Sequence, residues 1–166
     1  MKKFFAILLL INLIANNANS IEAEVFVQAT VNRASEVLSK NISKEEKMNS
    51  LKVIAKETVD IRGIGFYSLG STRKVLNENQ IQKYFNLFEN YFLKSFSSRL
   101  SEYTNPKIEV QGKNVINKNY TIVNSILVGS TDRPEVKIDW RIYTKNPDDP
   151  LIRDLIIELQ KIFSYF

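Results

Sequence analysis

The chain has 166 residues, 44% of them hydrophobic and 25% charged, with 23 Lys and Arg against 18 Asp and Glu, the size and composition of one ordinary globular domain. Cysteine and histidine are both absent, which excludes disulfide scaffolds, thiolate nucleophiles, zinc ribbons, a lipid-modified N-terminal cysteine, Ser-His-Asp triads and HExxH metal sites. The five glycines form neither GxGxxG nor GxxxxGK[ST], so no phosphate-cradling loop is readable.

Residues 1–20 carry Lys2 and Lys3, a mostly apolar run at 4–15, and a polar stretch ending Ala18, Asn19, Ser20. This is the layout of a secretory signal peptide cut after Ser20. The apolar run falls short of the roughly 20 residues that span a bilayer, and Asn12 interrupts it. Residues 21–166 are then expected to form a single soluble domain. Without Lys2 and Lys3 the balance is 21 basic against 18 acidic groups, a net charge of +3 instead of +5, too weak to argue for nucleic acid. An exported domain without cysteine points to a bacterial periplasm.

The first half of the remaining chain reads as helices. Val25, Val27, Val31, Ala34, Val37 and Leu38 give residues 21–38 a loose helical pattern. Ser43 precedes Glu46 at capping-box spacing, and Met48, Leu51, Ile54, Ala55 and Val59 continue as a second helix ending near Asp60. Residues 61–70 (IRGIGFYSLG) are apolar with three glycines, which predicts a short helix or turn where backbones approach closely. The strongest pattern lies at 77–103. There Ile81, Phe85, Phe88, Phe92, Phe96, Leu100 and Tyr103 recur every three or four residues, one stripe along a helix of about seven turns. Each ring can bury about 150–250 Å², so the four phenylalanines either fill a core or line a cavity.

After Pro106 the period falls from about 3.6 to 2. Ile108 and Val110 alternate with polar residues, 120–129 is almost continuously apolar, and Val136, Ile138, Trp140 and Ile142 alternate with Lys137, Asp139, Arg141 and Tyr143. A turn at 146–150 (NPDDP) then leads into a last strand at 151–158. The expected fold class is α+β, with N-terminal helices and one long amphipathic helix packed on a curved, mainly antiparallel sheet of about four strands that encloses an apolar pocket. The candidate pocket-lining residues are Phe66, Leu69, Phe85, Phe88, Phe92, Phe96, Val123, Leu127, Ile138, Trp140 and Ile142. Because 120–129 is apolar on both faces, Ile122 and Ile126 compete on nearly equal terms with Val123 and Leu127.

Val59-Asp60 leading to Leu69-Gly70, then Gln80, Phe85, Phe88 and Tyr91, then Arg99-Leu100 and Tyr103, and finally 136–140 (VKIDW) running to 152–154 (IRD) and Ile157-Glu158, resemble the MlaC family of periplasmic phospholipid-binding, or toluene-tolerance, proteins. The resemblance covers residues 22–158. It implies a carrier of the Mla pathway that moves phospholipid between the inner and outer membranes of a Gram-negative cell and maintains outer-membrane lipid asymmetry. The partners it implies are an inner-membrane ABC transporter complex with an MCE-domain subunit and an outer-membrane lipoprotein–porin complex, with no cofactor and no catalytic residue. In the family the last strand passes through a Glu-Gly-x-Ser turn into another helix. Here Glu158 is followed by residues 159–166 (LQKIFSYF), an ending expected to look truncated, with Ile162, Phe163 and Phe166 able to supply one short apolar turn; a disabled, truncated family member is therefore one alternative to a working carrier.

A lipid carrier needs little chemistry. Exposing two chains of about 15 methylenes costs roughly 24 kcal/mol at ~0.8 kcal/mol per CH₂, and a dry cavity removes that cost without any His or Cys. Arg62 and Arg73, near the glycine-containing turn, are candidate contacts for a phosphate or ordinary solvated surface. Two rival readings stay open. One is an exported enzyme using Asp60, Asp139, Asp154 and Glu158. The other is a protein-binding adaptor whose aromatic stripe is plain core and which would neither take up an acyl probe nor gain thermal stability from phospholipid.

Overall fold

The computed structural model describes residues 21–131 and 134–159. Four helices come first, α1 (Ala23–Ser39), α2 (Lys44–Thr58), α3 (Ile61–Ser68) and α4 (Glu78–Leu100), with a 3₁₀ turn at Gly70–Lys74. Four strands follow, β1 (Ile108–Asn117), β2 (Tyr120–Leu127), β3 (Val136–Tyr143) and β4 (Leu151–Leu159). The expected signal peptide and the proposed turn at Ile162, Phe163 and Phe166 lie outside the described residues.

Local chemistry fixes where the helices start. The Ser43 hydroxyl accepts from the Glu46 amide at 3.2 Å while the Glu46 carboxylate accepts from the Ser43 amide at 2.9 Å, satisfying two of the donors that a helix start leaves orphaned. Asn77 and Gln80 repeat the arrangement for α4, at 2.9 and 3.0 Å. Asp60 caps α3 by accepting from the Gly63 amide at 2.8 Å. Gly65 is the close approach that the glycine-rich segment predicts. A Cβ there would lie 2.8 Å from the Phe88 ring, so only glycine lets α3 settle against α4, and the Tyr84 hydroxyl donates to its carbonyl at 3.1 Å.

The strands form an antiparallel meander in the order β1-β2-β3-β4. Thr121 faces Ile142, Val123 faces Trp140 and Ser125 faces Ile138, and all six side chains are buried. That face, with Leu127, looks toward the helices. Ile122 and Ile126 pair with Arg141 and Lys137 on the other face, which decides the choice the sequence leaves open. In β4 a bulge at Arg153 shifts the register, since Ile152 pairs with Ile142 but Asp154 already pairs with Arg141. The extra residue reverses the alternation. Ile152 before it, and Leu155 and Ile157 after it, therefore share one face.

Helix α1 lies directly on β1 and β2, α2 packs between α1 and α4, and α3 rests on α4 and β4. Helix α4 packs chiefly on α2 and α3; its Leu93 belongs to the buried core, and Phe88, Phe92 and Phe96 pack against that core.

Candidate functional site

The inner face of the sheet and the helices do not close everywhere. Between them is a cavity of about 160 Å³. Its walls come from α1 (Val31, Ala34, Leu38), α2 (Leu51, Ile54, Ala55), the end of α4 and the segment after it (Phe96, Leu100, Tyr103, Pro106), and the sheet (Ile108, Leu127, Ile138, Trp140, Ile152, Leu155, Ile157). The lining is overwhelmingly hydrocarbon, and the polar groups near it turn away toward partners. Thr58 donates to the Ile54 carbonyl at 2.8 Å, Ser35 to the Pro106 carbonyl at 2.8 Å, and the Trp140 indole N–H to the Ser125 hydroxyl at 2.7 Å. Among the described residues no buried side-chain nitrogen or oxygen lacks a hydrogen-bond partner. Walls of this kind favour an apolar guest over water.

Of the eleven residues singled out from the sequence, Phe96, Leu127, Ile138 and Trp140 line this cavity. The other seven do not. Val123 and Ile142 are fully buried in solid core, in the cluster that also holds Ala23 and Val27 of α1. Phe85, Phe88 and Phe92 belong to a row of stacked rings: Phe66–Phe85 at 6.4 Å, Phe88–Phe92 at 6.2 Å and Phe92–Phe96 at 5.6 Å between centroids. Tyr84 touches both Phe85 and Phe88. Only the Phe96 end of the row reaches the cavity. Phe66 is 45% exposed on α3, and Leu69 follows it at the helix end.

The α1 and α2 residues and Ile152, Leu155 and Ile157 line the cavity without being among the eleven sequence candidates. For the helices the signal existed, since Val31, Ala34, Leu38, Leu51, Ile54 and Ala55 form the apolar faces already recognised. For β4 it did not, because the bulge breaks the period of two.

A second hollow, of about 430 Å³ and open to solvent, lies on the far side of the bridge between Val59 and Ile152. Asp60, Arg62, Gly63, Phe66, Tyr67, Arg73 and Arg153 line it. Arg153 donates to Asp60 and to the Tyr120 hydroxyl, both at 2.6 Å, and lies over the Tyr143 ring at 3.8 Å. Partial burial works against its charge, but the bonds to Asp60 and Tyr120 outweigh it and push the guanidinium pKa above its ordinary value.

Asp139 and Asp154, two carboxylates of the enzyme reading, line one open hollow together with Arg141 and Arg153, and each is engaged by a neighbour. Asp60 is held by Arg153, Asp139 accepts from Asn124 at 2.7 Å, and Asp154 faces Arg141 at 3.9 Å. No group of three or more acidic residues among the described ones is placed to hold a metal ion, and no helix among them is long and apolar enough to cross a membrane.

Fold and cavity together define a class: a small α+β domain that holds an apolar space between a helical layer and a four-stranded meander. The family model described as MlaC protein matches residues 28–158, and the chain belongs to the MlaC family. Among solved structures it is similar to the phospholipid-binding protein from Ralstonia solanacearum, solved in complex with a phospholipid. The TM-score is 0.67 at 13% identity, covering 83% of this chain and 79% of that one. At that identity the likeness is one of fold. A comparison with curated proteins returns no match.

Proposed function

We propose that this MlaC-family chain is a periplasmic carrier. It binds phospholipid by the acyl chains in the apolar cavity and shuttles it between an outer-membrane lipoprotein–porin complex and an inner-membrane ABC transporter with an MCE-domain subunit, so maintaining outer-membrane lipid asymmetry. The observation that carries the reading is the hydrocarbon-walled cavity, in a fold shared with a protein solved with phospholipid. The absence of His and Cys from the sequence suits a task that needs burial and no bond-making.

The volume has a mechanical consequence. A space of 160 Å³ is close to the roughly 150 Å³ that accommodates a benzene, far short of two acyl chains, so the helical layer must part from the sheet to load. The energetics favour closure again on release. An empty pocket of about 600 Å³, mid-range for ligand sites, would cost about 14 kcal/mol at ~24 cal/mol per Å³. That equals the whole stability of a typical domain, about 5–15 kcal/mol.

The test is native mass spectrometry of the full chain exported into a bacterial periplasm, followed by lipid extraction. Near-stoichiometric phospholipid is expected. A folded protein that emerges empty, and stays empty when offered phospholipid vesicles, contradicts the carrier and favours the adaptor.

A further inference from the structure

Resting on the carrier reading, we propose that Arg62 and Arg73 form an anion subsite that takes the phosphodiester of the phospholipid headgroup in the open hollow beside the cavity. Both guanidiniums are held by aromatic faces. Arg62 lies 4.4 Å over the Phe85 ring and Arg73 lies 4.8 Å over Phe66, and those two rings stack on each other at 10° between their planes. Stacking fixes the plane of a guanidinium while leaving its N–H edge free to donate, so less freedom is lost when an oxyanion binds. Neither arginine has an acidic partner among the described residues, whereas Arg153, the third arginine of the hollow, is paired with Asp60. Asp60, the carboxylate facing this space, is spent: one oxygen takes Arg153 and the other takes the Gly63 amide. Three guanidiniums against one carboxylate leave a local charge of +2, which suits a phosphodiester.

The hollow is also in the right place. Val59 and Ile152 line the cavity, and the very next residues, Asp60 and Arg153, line the hollow. The partition is the single backbone layer closed by the Asp60 amide donating to the Ile152 carbonyl at 2.9 Å. The ring row runs from one compartment to the other, beginning at Phe66 among the arginines and ending at Phe96 on the cavity wall. From Phe85 to Phe96 the helix rises about 16 Å at ~1.5 Å per residue, about half of the ~30 Å hydrocarbon thickness of a bilayer. That is one acyl chain's length, so once the helical layer parts from the sheet, a lipid whose head meets the arginines can lay its chains along the row with their ends in the cavity.

The experiment compares uptake of a phospholipid and of a chain-matched diacylglycerol, which has no phosphate, by the full chain and by an Arg62→Gln/Arg73→Gln variant, with an Arg62→Lys/Arg73→Lys variant as a charge-preserving control. The expected result is that the double Gln variant loses roughly tenfold in phospholipid affinity, keeps its affinity for diacylglycerol, and is partly rescued by the Lys pair. Unchanged phospholipid affinity overturns the subsite while leaving the carrier intact, and so does an equal loss for both ligands. Uptake of neither lipid by the parent chain overturns the carrier reading and the subsite with it. Inorganic phosphate supplies the other arm: if it raises the melting temperature in an Arg62- and Arg73-dependent way while phospholipid uptake ignores both substitutions, the site is one for free anions and the headgroup assignment is wrong.

Discussion

The same sheet face is solid at one end and hollow at the other. Val27 of α1, Val123 of β2 and Ile142 of β3 are fully buried in one core cluster, with the rings of Phe88 and Phe92 packed on it. A few residues away, Leu127, Trp140, Ile157 and Phe96 stand around a cavity. The residue types are alike, so side-chain chemistry does not separate the two regions; how completely the helices and sheet close on each other does. One end holds the fold together, and the other is free to change its contents.

The contrast is sharpest in truncation experiments. Ile142→Ala in the solid half is expected to cost about 2–5 kcal/mol, because the surroundings have no room to relax. Leu127→Ala, already beside empty space and partly accessible, is expected to cost only about 1–2 kcal/mol. Urea unfolding midpoints measure both, and equal losses would break the distinction. Gly65→Ala forces a methyl into the Phe88 ring and is expected to cost about 1–3 kcal/mol through overpacking, without changing which lipid is bound.

A smaller loss, about 1 kcal/mol, is expected for Ser43→Ala at the start of α2. Glu46 makes this contribution sensitive to acid. The hydrogen bonds from Ser43 lower its carboxyl pKa from the ordinary 4.5, so the stabilisation is present above that value and is lost as pH falls through the lowered one. Thermal melts of the two chains should lie closer together at acid pH than at pH 7, without meeting, because the bond from the Glu46 amide to the Ser43 hydroxyl does not depend on ionisation. The smallest effect on stability belongs to Ala34→Leu, which puts three more carbons into the cavity. It is expected to change stability by less than about 1 kcal/mol yet to reduce phospholipid uptake, the reverse of what the same change would do in the solid half.

These regions also show what the sequence could reveal. The Ser43 box, the helix of α4 and the alternation in β3 are local signals, each decided within a few residues, and the structure follows them, although the most buried positions of α4 include Leu93 and Ser97, off the aromatic stripe. The row from Phe85 to Phe96 was legible as a stripe but not as a set of contacts. Whether a ring meets a neighbouring ring, a glycine or empty space depends on where α3 and α2 dock. The bulge at Arg153 hid the cavity face of β4, since one inserted residue exchanges inside for outside without any change in composition. Arg62 and Arg73 could be suspected from the turn beside them, but their stacking on Phe85 and Phe66 is a property of the folded chain.

The central claim is that acyl chains occupy the hollow half. Trp140, the sole tryptophan of the sequence, lies on the cavity wall and reports on it directly. Its fluorescence should be strongly quenched by a phospholipid brominated along its acyl chains, and not by one whose bromines sit on the headgroup. Uptake of the chain-brominated lipid with Trp140 emission unchanged would place the chains elsewhere and contradict the account.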